Sequence, residues 1–202
     1  MFVQVIQGKV SDADAVRRHL ETWKAEVSPG ATGWLGSTGG VTADGRLIAL
    51  VRFDSAEAAQ ANSDRPEQGA WWQGMAALFD GDPEFHDSSS VTVDIPGDPS
   101  QAGFVQVMQG RTTDPERAAE LMTTSDVDTS AYRPEILGSV SAGHDGDQWT
   151  MAIYFTSEAE ARAGEQKPMP PEMEQLMKEM DAISDGEPTY FDLTDPWLDA
   201  PD

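Results

Sequence analysis

The apolar positions of this chain change their period several times, and each change marks an element. Residues 2–7 alternate, with Val3 and Val5 on one side and Phe2, Gln4 and Ile6 on the other, which predicts a β-strand. The period then lengthens. Val16, Leu20, Trp23 and Val27 recur at helical spacing, so residues 12–27 read as an amphipathic helix. Ser11 is its expected N-cap, Asp12 and Asp14 suit the positive end of the helix dipole, and Pro29-Gly30 stops it. A short strand at 34–38, a tight Ala43-Asp-Gly45 turn and a strongly apolar strand at 47–53 follow. Asp54-Ser55 cap a second helix that runs through the Ala-rich 56–61. It is interrupted near Arg65-Pro66, resumes through Trp71, Trp72, Met75 and Leu78, and ends at Gly81-Asp-Pro83. Phe85-His86 and residues 91–95 are expected to form the last strand, with Ser88-Ser-Ser90 as a break within it.

The same series then begins again. Phe2-Val-Gln-Val-Ile-Gln-Gly8 returns as Phe104-Val-Gln-Val-Met-Gln-Gly110, 102 positions later. That offset also pairs Leu35-Gly-Ser37 with Leu137-Gly-Ser139, Phe53 with Phe155, Ser55 with Ser157, and Pro66 with Pro168. One module has been duplicated and fused, and each copy is long enough to bury its own core. The second copy reads as strand 104–110, helix 114–124, strand 135–142, turn 145–146, strand 149–155, helix 157–184 and strand 189–193. Its second helix carries about three extra residues around Pro168-Met-Pro-Pro171. The expected division is 1–95, a turn-rich linker 96–103, 104–193, and an acidic tail 194–202. That tail either lies outside the fold or packs through Trp197 and Leu198. The order strand, helix, strand, strand, helix, strand puts four antiparallel strands in one sheet with both helices on one face, an α+β class. The bare apolar face must be covered, and a second identical sheet is the simplest cover. The expectation is two sheets packed face to face as an intrachain α+β barrel with helices outside.

Composition narrows the function classes. The chain has 202 residues, 39% of them hydrophobic, and no run near the roughly 18 apolar residues of a membrane span. Asp plus Glu number 36 against 13 Lys plus Arg, a net charge of −23. Such a surface repels phosphate backbones and anionic lipid, so neither nucleic acid nor membrane is an expected partner. Few of the cations are Lys, which with the acid excess suits a salt-rich cytoplasm; a melting temperature that fell as salt rose would sink that idea. There is no cysteine, which removes disulfides and thiolate chemistry. Met1-Phe-Val-Gln-Val reads as a strand at once rather than as a signal peptide, and a cytoplasmic location is expected.

Element order, repeat length and the duplicated strands resemble the dimeric α+β-barrel superfamily, whose ferredoxin-like modules include the antibiotic-biosynthesis monooxygenase-like proteins. Members are usually homodimers of one module. This chain looks like a fused pseudo-dimer, which implies a monomer and leaves higher oligomers open. The superfamily spans cofactor-free oxygenases of polycyclic aromatic substrates, haem-degrading enzymes, isomerases, dehydratases and members of no known activity, so fold alone says little of function. No catalytic motif of the family matches residue by residue. The resemblance implies a cofactor-independent monooxygenase-like enzyme acting on a small, flat, apolar molecule. A non-catalytic small-molecule binder or stress-associated protein is the alternative, and a structural pair without a pocket is a third.

Candidate site residues come from the repeat and from strand parity. Gln4 and Gln106 occupy one position in both copies, and a buried amide must find partners. Leu47, Ala49, Val51 and Phe53 share one face of their strand; Ile48, Leu50 and Arg52 share the other. Arg52 corresponds to Tyr154, and Gln4, Arg52, Gln106 and Tyr154 are expected to face the space between the sheets. There Arg52 would hold a carboxylate, enolate or phenolate and Tyr154 would donate a hydrogen bond; otherwise the four satisfy one another or Arg52 ends its strand at the surface. Trp34, Trp71 and Trp72 line an aromatic site or serve as core. His86, beside Asp87, is a candidate general base or a strand-end surface residue. His144 falls in a solvated hairpin turn, and His19 lies on a helix surface beside two arginines. The acid pairs Asp12/Asp14, Asp80/Asp82 and Asp126/Asp128 lack calcium-loop spacing, and no Cys or paired His supports zinc, so neither metal nor cofactor is expected.

Overall fold

Each copy of the repeat builds an antiparallel sheet, and each sheet gains a fifth strand from beyond its own copy. The computed structural model describes residues 1–124 and 129–201; Asp126 and Asp128 lie outside the described residues. Two units result, Met1–Ser89 with the segment from Asp195 on, and Ser90–Thr194. In chain order the first runs β1 (Phe2–Lys9), α1 (Ala13–Thr22), β2 (Trp34–Val41), β3 (Arg46–Phe53), α2 (Ala56–Ser63), α3 (Pro66–Ala76) and β4 (Glu84–Ser88). The second runs β5 (Ser90–Asp94), β6 (Phe104–Arg111), α4 (Pro115–Thr124), α5 (Thr129–Tyr132), β7 (Ile136–His144), β8 (Gln148–Phe155), α6 (Glu158–Glu165), α7 (Pro171–Ile183) and β9 (Thr189–Leu193). A last strand, β10 (Trp197–Asp199), returns to the first unit.

The first sheet has the order β10-β2-β3-β1-β4. β1 pairs β3 with Phe2 opposite Phe53, Gln4 opposite Val51 and Ile6 opposite Ala49. One face therefore carries Phe2, Gln4, Ile6, Leu47, Ala49, Val51 and Phe53 beneath the helices. The other carries Val3, Val5, Ile48 and Leu50, each exposed by 1% or less. Helix α1 starts one residue later than expected. Asp12 rather than Ser11 is the N-cap, its carboxylate accepting from the Ala15 amide at 2.8 Å. At Trp23–Val27 the helix widens into a single π-type turn, with the Ser28 amide donating to the Trp23 carbonyl. Trp23 and Val27 are both buried there, against Phe2, Trp34, Phe53 and Ala59. The break between α2 and α3 lies where the sequence places it. Arg65 is held extended before Pro66, which opens α3 at a position that needs no amide hydrogen.

The second sheet has the order β5-β7-β8-β6-β9 and repeats the register, with Phe104 opposite Phe155 and Gln106 opposite Ile153. Phe104, Phe155 and Ala161 form its buried cluster. The expected continuous helix 157–184 is two helices, because Pro170 and Pro171 cannot continue α6 and instead open α7.

The expected single last strand of the first copy is two strands in different sheets. β4 pairs β1, and after Ser89 the chain passes into the second unit, where β5 pairs β7. Residues 195–201 behave in the same way. Trp197 pairs Gly39, Leu198 pairs Thr38 and Asp199 pairs Ser37, and Trp197 is buried. Among the described residues no helix is long and apolar enough to cross a membrane.

Candidate functional site

Within the first unit, sheet and helices do not close on one another completely. A cavity of about 270 Å³ remains between them. Its floor is the helix-facing side of the sheet, with Gln4, Ile6, Ser37, Gly39, Leu47, Ala49 and Val51. Its roof is Leu20, Trp23, Gln68, Trp71, Trp72 and Met75, with Asn62 and Ser63 at one end. Phe85 of β4 and Trp197 and Asp199 of β10 close the sides. Two small residues make the floor hollow. Gly39 has no side chain and its cross-strand partner Ala49 only a methyl, so neither position reaches up towards the tryptophans. In the second unit the same registers hold Ser141 and Met151.

The aromatic roof is a chain of rings in edge-on and tilted contact. Trp71 lies 6.2 Å from Trp23 and 6.0 Å from Trp72, and Trp72 lies 5.2 Å from Phe85, ring centre to ring centre. Each indole that needs a partner has one. Trp23 Nε1 donates to Gln68 Oε1 at 2.7 Å, and Trp71 Nε1 donates to the His19 carbonyl at 3.0 Å. His19 does not sit free on the helix surface as expected. Its ring stacks on Trp71 at 5.0 Å and its Nε2 lies 2.9 Å from the Trp71 carbonyl, a two-way clasp between α1 and α3.

The side wall depends on Gly36. Its φ of +127° lies where side chains are disfavoured, and a Cβ there would stand 2.6 Å from the Asp199 carbonyl and 2.8 Å from an Arg52 nitrogen. The glycine bulge of β2 thus lets β10 approach. Asp199 then points to the cavity side with Ser37 and Trp197. Burial raises its carboxyl above the ordinary value of 3.8; Lys24 and Arg17 pull the other way and Glu21 pushes with the burial. Asp199 is the one ionisable group among the described lining residues.

The residues singled out in sequence separate on this framework. Gln4, Trp71 and Trp72 line the cavity, and Gln4 Nε2 donates to Asp87 Oδ1 at 2.8 Å. Trp34 stands behind the wall, 4.9 Å edge-on to Trp23, with its Nε1 donating to Ser37 Oγ at 3.1 Å. Arg52 does not share a face with Gln4. The register puts it opposite Val3, on the side away from the helices, where its Nε is buried with no hydrogen-bond partner among the described residues. His86 is opposite Val5 on that same far side, its Nε2 3.4 Å from Gln7 Nε2. Gln106 and Tyr154 belong to the second unit and again lie on opposite faces. Gln106 donates to Asp192 at 2.9 Å, and Asp192 is also bound by Arg162. Within each sheet, then, the glutamine lies on one face and its expected companion, Arg52 or Tyr154, on the other, so the four do not share one face. His144 is buried rather than solvated, between Asp145 at 3.0 Å and Thr150 at 2.9 Å. Asp199, Trp197, Trp23 and Gln68 were not singled out in the sequence. Asp199 and Trp197 lay in the segment read as a tail, and Trp23 read as helix core.

No protein-family model and no curated protein sequence matches the chain. Solved structures match it in fold. A protein from Lactobacillus acidophilus, provisionally named a monooxygenase, superimposes over 98% of this chain and 98% of its own with a TM-score of 0.72 at 11% identity. A protein from Fusobacterium nucleatum with the same provisional name matches over 98% and 94%, at a TM-score of 0.75 and 10% identity. An anthrone oxidase-like protein matches over 100% and 91%, at 0.63 and 10%. Identities this low establish shared fold. The chain accordingly has the fold of these monooxygenase-like proteins, two ferredoxin-like α+β modules in tandem.

Proposed function

We propose that this chain binds a small, flat, largely apolar molecule in the tryptophan-roofed cavity of its first unit and oxygenates it without a cofactor of its own. One observation carries the binding reading: a cavity of about 270 Å³ with aromatic walls and a few inward polar groups. Ligand pockets span roughly 300–1,000 Å³, so the occupant has two or three fused rings at most. The oxygenation reading leans on the names of the fold neighbours. In such a reaction an activated CH₂ of the substrate meets O₂, one oxygen atom becomes a carbonyl and the other leaves as water with the two hydrogens. The substrate supplies both electron pairs. On this reading Asp199 takes the first proton, and Gln4 and Ser37, which line the same cavity, hydrogen-bond the oxygen function.

A second reading, a binder without turnover, is favoured by the presence of a single ionisable group among the described lining residues. An oxygen electrode separates the two. With anthrone as probe, the enzyme reading expects O₂ uptake above the uncatalysed rate, anthraquinone formed in equal amount, and loss of both in Asp199→Asn. Tryptophan quenching by the probe without O₂ uptake selects the binder. Absence of both quenching and uptake removes the cavity as the working site.

A further inference from the structure

The cavity also has an electrical character, and it points to the charge of the occupant. Its described ionisable lining is one carboxylate, Asp199, which accepts no hydrogen bond from any described residue. The two cations near it are occupied elsewhere. Lys24 donates to the Ala200 carbonyl and lies 5.1 Å over the Trp34 ring. Arg17 sits 5.8 Å from the Trp197 ring and 3.7 Å from both Glu21 and Asp195. These contacts fasten β10 from outside and leave the inward carboxylate without a direct partner among the described residues, with Lys24 and Arg17 acting on it only through space. Across from it stand the indoles of Trp71 and Trp72. Aromatic faces attract cations, and the attraction grows where water is excluded. The whole chain carries −23, so cations are drawn in and anions are repelled before contact.

We propose that the ligand of the first unit is a flat organic cation, an aromatic ring system bearing a protonated amine, with its nitrogen on Asp199 and its rings against the indoles. This rests on the cavity being the working site, and it gives Asp199 the amine to hold in place of the proton-taking role. The amine N–H groups donate to the Asp199 oxygens, and the ring system replaces water against Trp71 and Trp72. The burial that raises the Asp199 carboxyl is offset once a cation lies beside it, so amine binding and ionisation of Asp199 favour one another.

The test uses three naphthalenes of nearly one shape on the intact chain at 150 mM salt: 1-naphthylmethylamine, 1-naphthylmethanol and 1-naphthoate. Affinities are read by calorimetry and by tryptophan quenching near pH 7. The amine is expected to bind at least about tenfold more tightly than the alcohol, and the naphthoate more weakly than either. In Asp199→Asn, which keeps size and removes one of many acids, the amine falls to the alcohol's affinity while the alcohol changes little. An amine no tighter than the alcohol, or an advantage that survives in Asp199→Asn, overturns the cation assignment. In either case the alcohol still binds, and its loss in Trp72→Ala keeps the cavity in place. Failure of all three probes to bind overturns both the assignment and the cavity as the working site.

Discussion

The hollow floor of the first unit yields the sharpest test. Ala49 is half-buried, opposite Ile6, and faces the cavity. At the same register the second unit carries Met151 opposite Met108. Ala49→Met therefore copies into one unit what the fold already accepts in the other. The change adds three methylene-sized groups to a space of about 270 Å³. At about 0.8 kcal/mol for each group removed from water, burial contributes about 2.4 kcal/mol. Ordering a methionine side chain costs about 1.5–2 kcal/mol. The net is a gain of about 0.4–0.9 kcal/mol, where the same substitution in a filled core would cost about 1–3 kcal/mol through overpacking. Urea unfolding followed by tryptophan fluorescence reads the stability, and titration with 1-naphthylmethanol reads the site. Stability is expected to hold or rise while affinity falls about tenfold or more as the ligand's place is taken. A loss of more than about 1 kcal/mol would show a floor that is packed rather than hollow. Unchanged affinity in a stable variant would show that the ligand sits elsewhere.

Asp199→Asn also carries a stability signature. The folded carboxyl lies above its ordinary 3.8, so the folded state holds its proton longer than the unfolded chain does. Wild-type stability from this group is greatest below 3.8 and is lost as pH rises through the folded value. The Asn variant should gain on wild type between pH 4 and 7 in urea midpoints, and a constant difference over that range would refute the burial argument. Ser55 and Ser157 cap α2 and α6 in the same way, accepting at 3.2 and 3.3 Å, so each alanine variant should cost about 1 kcal/mol, and widely unequal costs would break the equivalence of the caps. Arg162 binds Asp192 and lies 5.3 Å over Phe104, so Arg162→Ala should cost about 1–2 kcal/mol in denaturant unfolding. Arg162→Lys should recover less than half of it, and full recovery would show that charge alone acts there.

The repeat made the fold legible, and the residues it missed show where such reading stops. The offset of 102 holds as far as Pro168, and three added residues just after it lengthen it to 105 from there on. At that offset Asp87 meets Asp192, Asp94 meets Asp199, and Pro96 meets Pro201. Residues 195–201 are thus a repeat of the segment around β5 rather than a tail. Thr92 standing where Trp197 stands hid this, because the match in β-forming character is not a match in residue. The structure bears the pairing out: Asp94 lies opposite Ser139 as Asp199 lies opposite Ser37.

Facing was harder to read than order. Alternation divides β1 into two sets and β3 into two sets, but it does not say which set of one strand joins which set of the other. Only register decides that, and a shift of one residue would exchange the faces. With Phe2 opposite Phe53, Gln4 falls under the helices and Arg52 falls on the far side, so two polar residues that looked like partners are separated by the sheet itself. The cavity was less legible still, because empty space belongs to no single position. It arises where Gly39 and Ala49 leave the floor low, Trp71, Trp72 and Met75 hold the roof up, and β10 seals the edge with Trp197. The corresponding floor residues, Ser141 and Met151, are larger, and in that unit Arg162 reaches Asp192 beneath α6, where Gln60 stands at the matching position of the first unit. Two copies with one pattern of apolar positions can therefore differ in function through side-chain volume alone. Volume leaves the period untouched, which is why the repeat made the architecture plain and left the site to be found in the packing.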